Sequence, residues 1–148
     1  MWQSVAVSVA HCGAGCVLGD IVADWIVYGA GWTIAGRAVW LEMILGYGLA
    51  LLFGIAFQYL NIAPMTGEWG LDSFIKAVKA DILSLTSFEV GLFGWMAIYN
   101  LTFYSSPELT PVSSIYWFMM QIGMLFGKAT SSPTNWWLVK TGIKQPCA

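Results

Sequence analysis

The sequence predicts an all-α integral membrane protein, a bundle of four transmembrane helices. Three observations lead there. First, 58% of the 148 residues are apolar and only 9% are charged. Soluble domains carry roughly 25% charge, so this chain has too few charges to cover a water-facing surface. Second, the mean hydropathy is +0.70. Third, four stretches approach the roughly 20 mostly apolar residues that a helix needs to cross a bilayer core.

The first stretch runs from about Val5 to Tyr28 and the second from about Ala38 to Leu60. The third runs from about Ala80 to Tyr104 and the fourth from about Ile115 to Val139. The first lacks a basic leader and is interrupted by His11, so it reads as a span and not as a signal peptide. Breakers separate the spans: Gly29, Gly31 and Gly36, then Pro64, Gly67 and Gly70, then Pro107 and Pro111. Before the third span, Leu71 to Lys79 mixes apolar and charged residues, which predicts a short interfacial helix. Nine Trp suit the bilayer interface. The whole chain, 1–148, reads as a single transmembrane domain.

Charge sets an orientation. Lys76, Lys79, Lys140 and Lys144 fall on the side of the two termini, and the opposite loops hold only Arg37. The positive-inside rule then expects both termini in the cytoplasm. The six basic residues are scattered, and no nucleic-acid partner is expected. Short matches recur in the same order in both halves: Asp20-Ile21-Val22 with Asp81-Ile82-Leu83, and Leu52-Phe53-Gly54 with Leu125-Phe126-Gly127. That order fits two parallel helical-hairpin repeats.

Close packing is expected at Gly15 and Gly19 on the first span and at Gly123 and Gly127 on the fourth. Small residues four apart let helix backbones approach in lipid. The plain alternative is that glycine is common in membrane helices.

The polar residues carry the candidate chemistry. Cys12, Cys16, Asp20 and Asp24 are spaced four apart and form a stripe on the first helix. His11 lies beside it. Thiolate and imidazole suit copper(I), zinc or another transition-metal ion, so His11, Cys12, Cys16, Asp20 and Glu89 are the candidate metal ligands. Met120 and Met124, one turn apart, are weaker candidates. Small buried thiols and flexible thioethers also serve simply as packing.

Charges near the middles of spans are costly, at about 2.5 to 3.5 kcal/mol each even on the lenient scale. Asp20, Glu89 and Lys128 are therefore expected to face inward, with Lys128 paired to one of the carboxylates. Asp24 and Glu42 come within reach of Arg37, and Asp81 is expected to start the third span, capping it or pairing with Lys79. With one His there is no multi-His site, and there is no phosphate loop or nucleophile elbow. A soluble-type enzyme is not expected.

Three blocks resemble a known family. His11-Cys12-Gly13-Ala14-Gly15-Cys16-Val17-Leu18-Gly19-Asp20, then Lys79 to Glu89, then Tyr116 to Met124 with Asn135-Trp136-Trp137-Leu138, are similar to the motifs of an uncharacterised bacterial membrane family, domain of unknown function number 4396. The resemblance implies a four-helix membrane protein, with some members labelled as copper-related. It adds Asp81 and Asn135 to the motif positions and supplies no activity.

Together these readings lead first to a small transporter or membrane chaperone for a transition-metal ion, copper favoured, acting as a homo-oligomer. The alternatives are a non-catalytic accessory subunit of a larger membrane complex and a thiol-based redox protein using Cys12 and Cys16.

Overall fold

A computed structural model describes residues 2–67, 70–104 and 107–144. Within its helices the side chains of residues 8, 11, 12, 58, 61–63, 65, 66, 73, 76, 77 and 80 are not described. Among the described residues the chain forms four α-helices: α1 (Trp2–Ala30), α2 (Val39–Thr66), α3 (Leu71–Thr102) and α4 (Ser114–Lys140). Strands are absent there apart from one isolated bridge, Ile34 with Arg37.

The helices run up, down, up, down. Gly15 of α1 faces Gly54 of α2, and Gly19 faces Ala50, so residue numbers fall along one helix as they rise along the other. Phe88 of α3 meets Gly127 of α4, and Leu92 meets Gly123, in the same antiparallel sense. One end of the bundle, here the loop end, carries the α1–α2 and α3–α4 connections. The other, the terminal end, carries both described termini and the α2–α3 connection.

Local sequence explains the turns. Ala35 and Gly36 both take left-handed backbone (φ 53° and 76°). They let Ile34 and Arg37 exchange two backbone hydrogen bonds of 3.0 and 3.1 Å, the geometry of a tight hairpin. α2 continues past the expected end at Leu60, carries Pro64 in its last turn and stops at left-handed Gly67. The separate interfacial helix expected before the third span does not form. Leu71 to Lys79 are instead the first turns of an unbroken 32-residue α3, because no glycine or proline falls between Gly70 and Gly91 to stop it. Asp81 accordingly sits in the third turn of α3 and not at its start.

Three helices carry windows long and apolar enough to cross a membrane: Gly13–Ala30, Val39–Phe57 and Asp81–Thr102. α4 falls short, since Gln121, Lys128, Ser131, Ser132, Thr134 and Asn135 dilute its apolar run. It nevertheless passes Pro133 unbroken to Lys140. The Thr130, Ser131 and Ser132 hydroxyls donate back to carbonyls of the preceding turn, those of Phe126, Gly127 and Lys128, which gives these polar groups partners within the helix itself. The outer faces are covered by large apolar side chains such as Ile44, Leu52, Val90, Ile98 and Phe118, a surface suited to lipid.

The α1–α2 seam is the tightest contact. A Cβ added to Gly15 would lie 2.8 Å from the Gly54 Cα, and one added to Gly19 would lie 2.6 Å from the Ala50 Cα. Gly19→Val is expected to cost about 1–3 kcal/mol by overpacking, read as a lower thermal midpoint in detergent. Gly48→Val, on the open face of α2, is expected to leave that midpoint unchanged.

Candidate functional site: a buried row of carboxylates

The interior is apolar by composition yet holds acids from three helices. Asp20 (3% exposed) and Asp24 (1%) come from α1, Glu42 (6%) from α2, and Asp81 (0%) and Glu89 (2%) from α3. Asp20 and Asp24 share one face because they are four residues apart on a helix, and Asp81 and Glu89 share one because they are eight apart.

Asp20 is close enough to Glu89 and Asp24 to feel their charges. Asp24 and Glu108 act in the same way on Glu42. The row thus runs Glu89, Asp20, Asp24, Glu42, Glu108, from mid-bundle towards the loop end. Two phenols line it: Tyr116 of α4 beside Asp24, and Tyr99 of α3 beside Glu42. Both carboxylate oxygens of Asp20 are buried without a hydrogen-bond partner among the described residues, while the Cys16 thiol lies against the Glu89 carboxyl and the Tyr116 hydroxyl against that of Asp24.

Glycines of α2 make the room. A Cβ at Gly46 would lie 2.6 Å from Asp20 Oδ1, and one at Gly54 would lie 2.8 Å from Asp81 Oδ2. These two glycines, eight residues apart, seat one carboxylate each. Sequence reasoning missed both, having looked for close approach at Gly15, Gly19, Gly123 and Gly127.

At the terminal end lies a second polar cluster, whose hydrogen bonds centre on Asn135. Lys144, just past the end of α4, is 1% exposed. Its Nζ lies 3.8 Å from Asp81 Oδ1 and donates to Asn135 Oδ1 at 3.0 Å. The same Asn135 oxygen accepts from Ser84 Oγ at 2.9 Å, and its amide donates to the Ser131 carbonyl at 3.0 Å. Between this cluster and Glu89, one helical turn from each acid of α3, lies Leu85. It is fully buried, as are Phe88 and Cys16. Asp81 and Glu89 are separated by eight residues of helix, roughly 12 Å of rise, with this dry layer between them.

The structure distributes the expected site residues unevenly. It brings together Asp20, Glu89 and Cys16, the thiol lying against the Glu89 carboxyl. The side chains of His11 and Cys12 lie outside the described residues. Met120 is buried in the core and Met124 packs against that same core while also lining a cleft with Lys128. Among the described residues no group of three His, Cys, Asp or Glu side chains is arranged to hold a metal ion.

Lys128 does not join the row. The face of α4 that carries Gly127 and Ser131 is buried, and Lys128 is turned about 100° from Gly127, out to an exposed position. There it lines a cleft with Ala10, Gly13, Ala14, Val17, Phe88 and Met124. Asp81 pairs with Lys144, while Lys79 is exposed. Arg37 donates to the Asn100 carbonyl at 3.2 Å. Asp24, Glu42, Tyr99, Tyr116 and Lys144 were not singled out as site residues. The four-residue step from Asp20 to Asp24 was a usable signal, but the inward return of Lys144 left none.

Fold and interior together define a class: an all-helical membrane protein whose interior holds acids from three helices. The family described as Domain of unknown function (DUF4396) matches residues 1–144, and the chain belongs to that family. No curated protein and no solved structure matches the chain.

The two polar clusters should respond oppositely to neutral replacement. Asp20→Asn replaces a buried carboxylate whose oxygens have no hydrogen-bond partner among the described residues, so its thermal midpoint in detergent is expected to stay level or rise. Asn135→Leu leaves the Lys144 ammonium and the Ser84 hydroxyl without their shared acceptor, and is expected to cost on the order of 1–3 kcal/mol.

Proposed function

We propose that this protein is a small membrane transporter of a cation, carried along the row of buried carboxylates. The observation that carries this reading is the set Asp20, Asp24 and Glu89, acids buried on facing helices and near enough for Asp20 to feel the charges of the other two. Ionisable groups inside a membrane protein are expensive, and they mark ion pathways and proton relays. Carboxylates crowded together without cationic partners are relieved by a cation or a proton taken from outside.

In this reading α4 makes the fourth crossing, both termini face the cytoplasm, and the hairpins α1–α2 and α3–α4 are parallel repeats. The Lys and Arg distribution supports the orientation. The cargo is a transition-metal ion, copper first. Cys16 against Glu89 offers one soft and one hard donor side by side, with Cys12 and His11 one turn nearer the N-terminus. Asp20, Asp24 and Glu42 exchange protons or hold the ion in passage. A homo-oligomer is the working form.

Two measurements test this. Purified protein reconstituted into vesicles should take up copper(I) under a proton gradient, and Glu89→Gln or Asp20→Asn should abolish uptake without lowering the thermal midpoint. Uptake equal to wild type in both variants would sink the carboxylate row as the path. Bound metal should also fall with Cys12→Ser combined with Cys16→Ser. Metal content that ignores both thiols would remove copper as cargo.

One observation favours a second reading, an accessory subunit of a larger membrane complex. Lys128 lies midway along α4 and faces outward, where lipid alone accommodates a charge poorly. A partner helix bearing a carboxylate would satisfy it. Purification in mild detergent should then yield a partner at fixed stoichiometry that Lys128→Leu releases. Recovery of this chain alone from the native membrane would count against that reading.

A further inference from the structure

We infer that the cleft around Lys128, between α1 and α4, is a docking groove for one transmembrane helix of a different protein, a helix that carries an aspartate or glutamate midway along its span. The inference rests on the accessory-subunit reading above and on α4 as a crossing helix. It adds the groove and the chemistry of what fills it.

Small residues make the groove. Ala10 and Ala14, one turn apart on α1, are exposed, and helices with small residues on their contact faces approach closely in lipid. Phe88 of α3 forms the floor, between Gly13 of α1 and Gly127 of α4. A Cβ on either glycine would meet the Phe88 ring, at 3.5 and 3.0 Å. Met124 and Lys128 line the α4 side, and the cleft holds about 220 Å³. Pockets for small molecules run to roughly 300–1,000 Å³, so this one suits side chains that reach in from a neighbouring helix.

Charge selects the occupant. Lys128 stands midway along the 27-residue α4 and is exposed. Among the described residues its ammonium has no ion pair and no hydrogen bond. Ionisable residues within spans almost always face the bundle interior, so an outward lysine at this depth calls for a neighbour that brings negative charge. A bilayer core is roughly 30 Å thick, which puts the headgroups roughly 15 Å from its middle. That is farther than a snorkelling lysine extends. A phospholipid phosphate is thus out of reach, and a fatty-acid carboxylate belongs at the same distant interface. A carboxylate built into a helix is carried to mid-depth by the rest of that helix.

A second copy of this chain does not supply the charge. Asp20, Asp24, Glu42, Asp81 and Glu89 are all buried in their own bundle. Two copies joined symmetrically through this face would set Lys128 against Lys128, and like charges repel. Gln121 marks the same face. It lies seven residues before Lys128, two turns along one side of α4, and is exposed. Polar side chains directed outward from a membrane helix act as glue between helices.

The test uses the full-length protein in lipid vesicles and a synthetic transmembrane peptide, a leucine–alanine helix with one central glutamate. Binding is read as energy transfer from a donor on the peptide to an acceptor on the N-terminus of the protein. Wild type should bind the glutamate peptide saturably, and a glutamine peptide about tenfold or more weakly, as for a buried charge pair that loses one partner. Lys128→Gln should erase that preference. Lys128→Glu should restore tight binding to a peptide with a central lysine. Ala14→Leu, which fills the groove at an exposed position, should abolish binding, and Leu52→Ala on the outer face of α2 should leave it unchanged.

Equal binding of the glutamate and glutamine peptides by wild type overturns the proposal, and that arm needs no variant to fold. Displacement of the glutamate peptide by oleate would assign the cleft to a fatty acid and overturn the helix as occupant. Energy transfer between two labelled copies that Ala14→Leu abolishes would seat a second copy there, with the same consequence. Purification from the native membrane separates the two readings. Charge-selective peptide binding with no partner recovered keeps the groove and removes the accessory subunit. A partner at fixed stoichiometry that Lys128→Gln retains, with both peptides bound equally, keeps the accessory subunit and removes the groove.

Discussion

The structure depends on one electrostatic constraint: carboxylates placed inside an apolar bundle must be neutralised there, by a close cation or by a proton. Desolvating a charge costs several kcal/mol, and only close partners repay it. The acids of this chain differ in what lies beside them. Asp81 has an ammonium and a bonded amide beside it, while Asp20 and Glu89 have room made by a glycine or an adjoining thiol but no cation among the described residues. The division follows position along the bundle, with compensation at the terminal end and exposure to one another's charge from the middle outward.

Packing supports that arrangement. Space for the acids comes from α2, where Gly46 and Gly54 replace side-chain volume with carboxylate volume. The closeness of α1 to α2 comes from Gly15 and Gly19 against Gly54 and Ala50. Gly54 therefore serves two neighbours, bringing α1 near on one side and giving Asp81 its space on another. A residue with any side chain there would push apart the hairpin and the terminal-end cluster together.

Much of the fold was legible in the sequence, because it depends on local features. Apolar length and breaker residues located all four helices, and Gly36 and Gly67 fall at turns. Boundaries moved where the breakers were weak: Pro64 in a last turn did not end α2, and nothing between Gly70 and Gly91 could split α3. The interior was legible in part. Asp20, Cys16 and Glu89 do meet, since a buried charge in a span has few other places to go. Lys128 did not follow, because whether a residue faces in or out depends on helix rotation, and a step of one residue from Gly127 reverses the outcome. Lys144 was read only as a flanking charge, since its place depends on a chain reversal that carries no periodic signal. Which residues lie across α2 from Asp20 and Asp81 is tertiary information, and Gly46 and Gly54 look in sequence like any other glycines of a membrane helix.

The glycine contacts carry a mechanical implication. Within each hairpin, backbone lies against backbone or ring against backbone, so α1 with α2, and α3 with α4, are stiff units. The hairpins meet each other chiefly through side chains, and the acids straddle that boundary: Asp20, Asp24 and Glu42 belong to one unit, Glu89 and Asp81 to the other. Any rocking of one hairpin against the other changes the gap between like charges. Like charges on the two sides repel more strongly as the gap narrows, so the charge state of the acids and the spacing of the hairpins are linked.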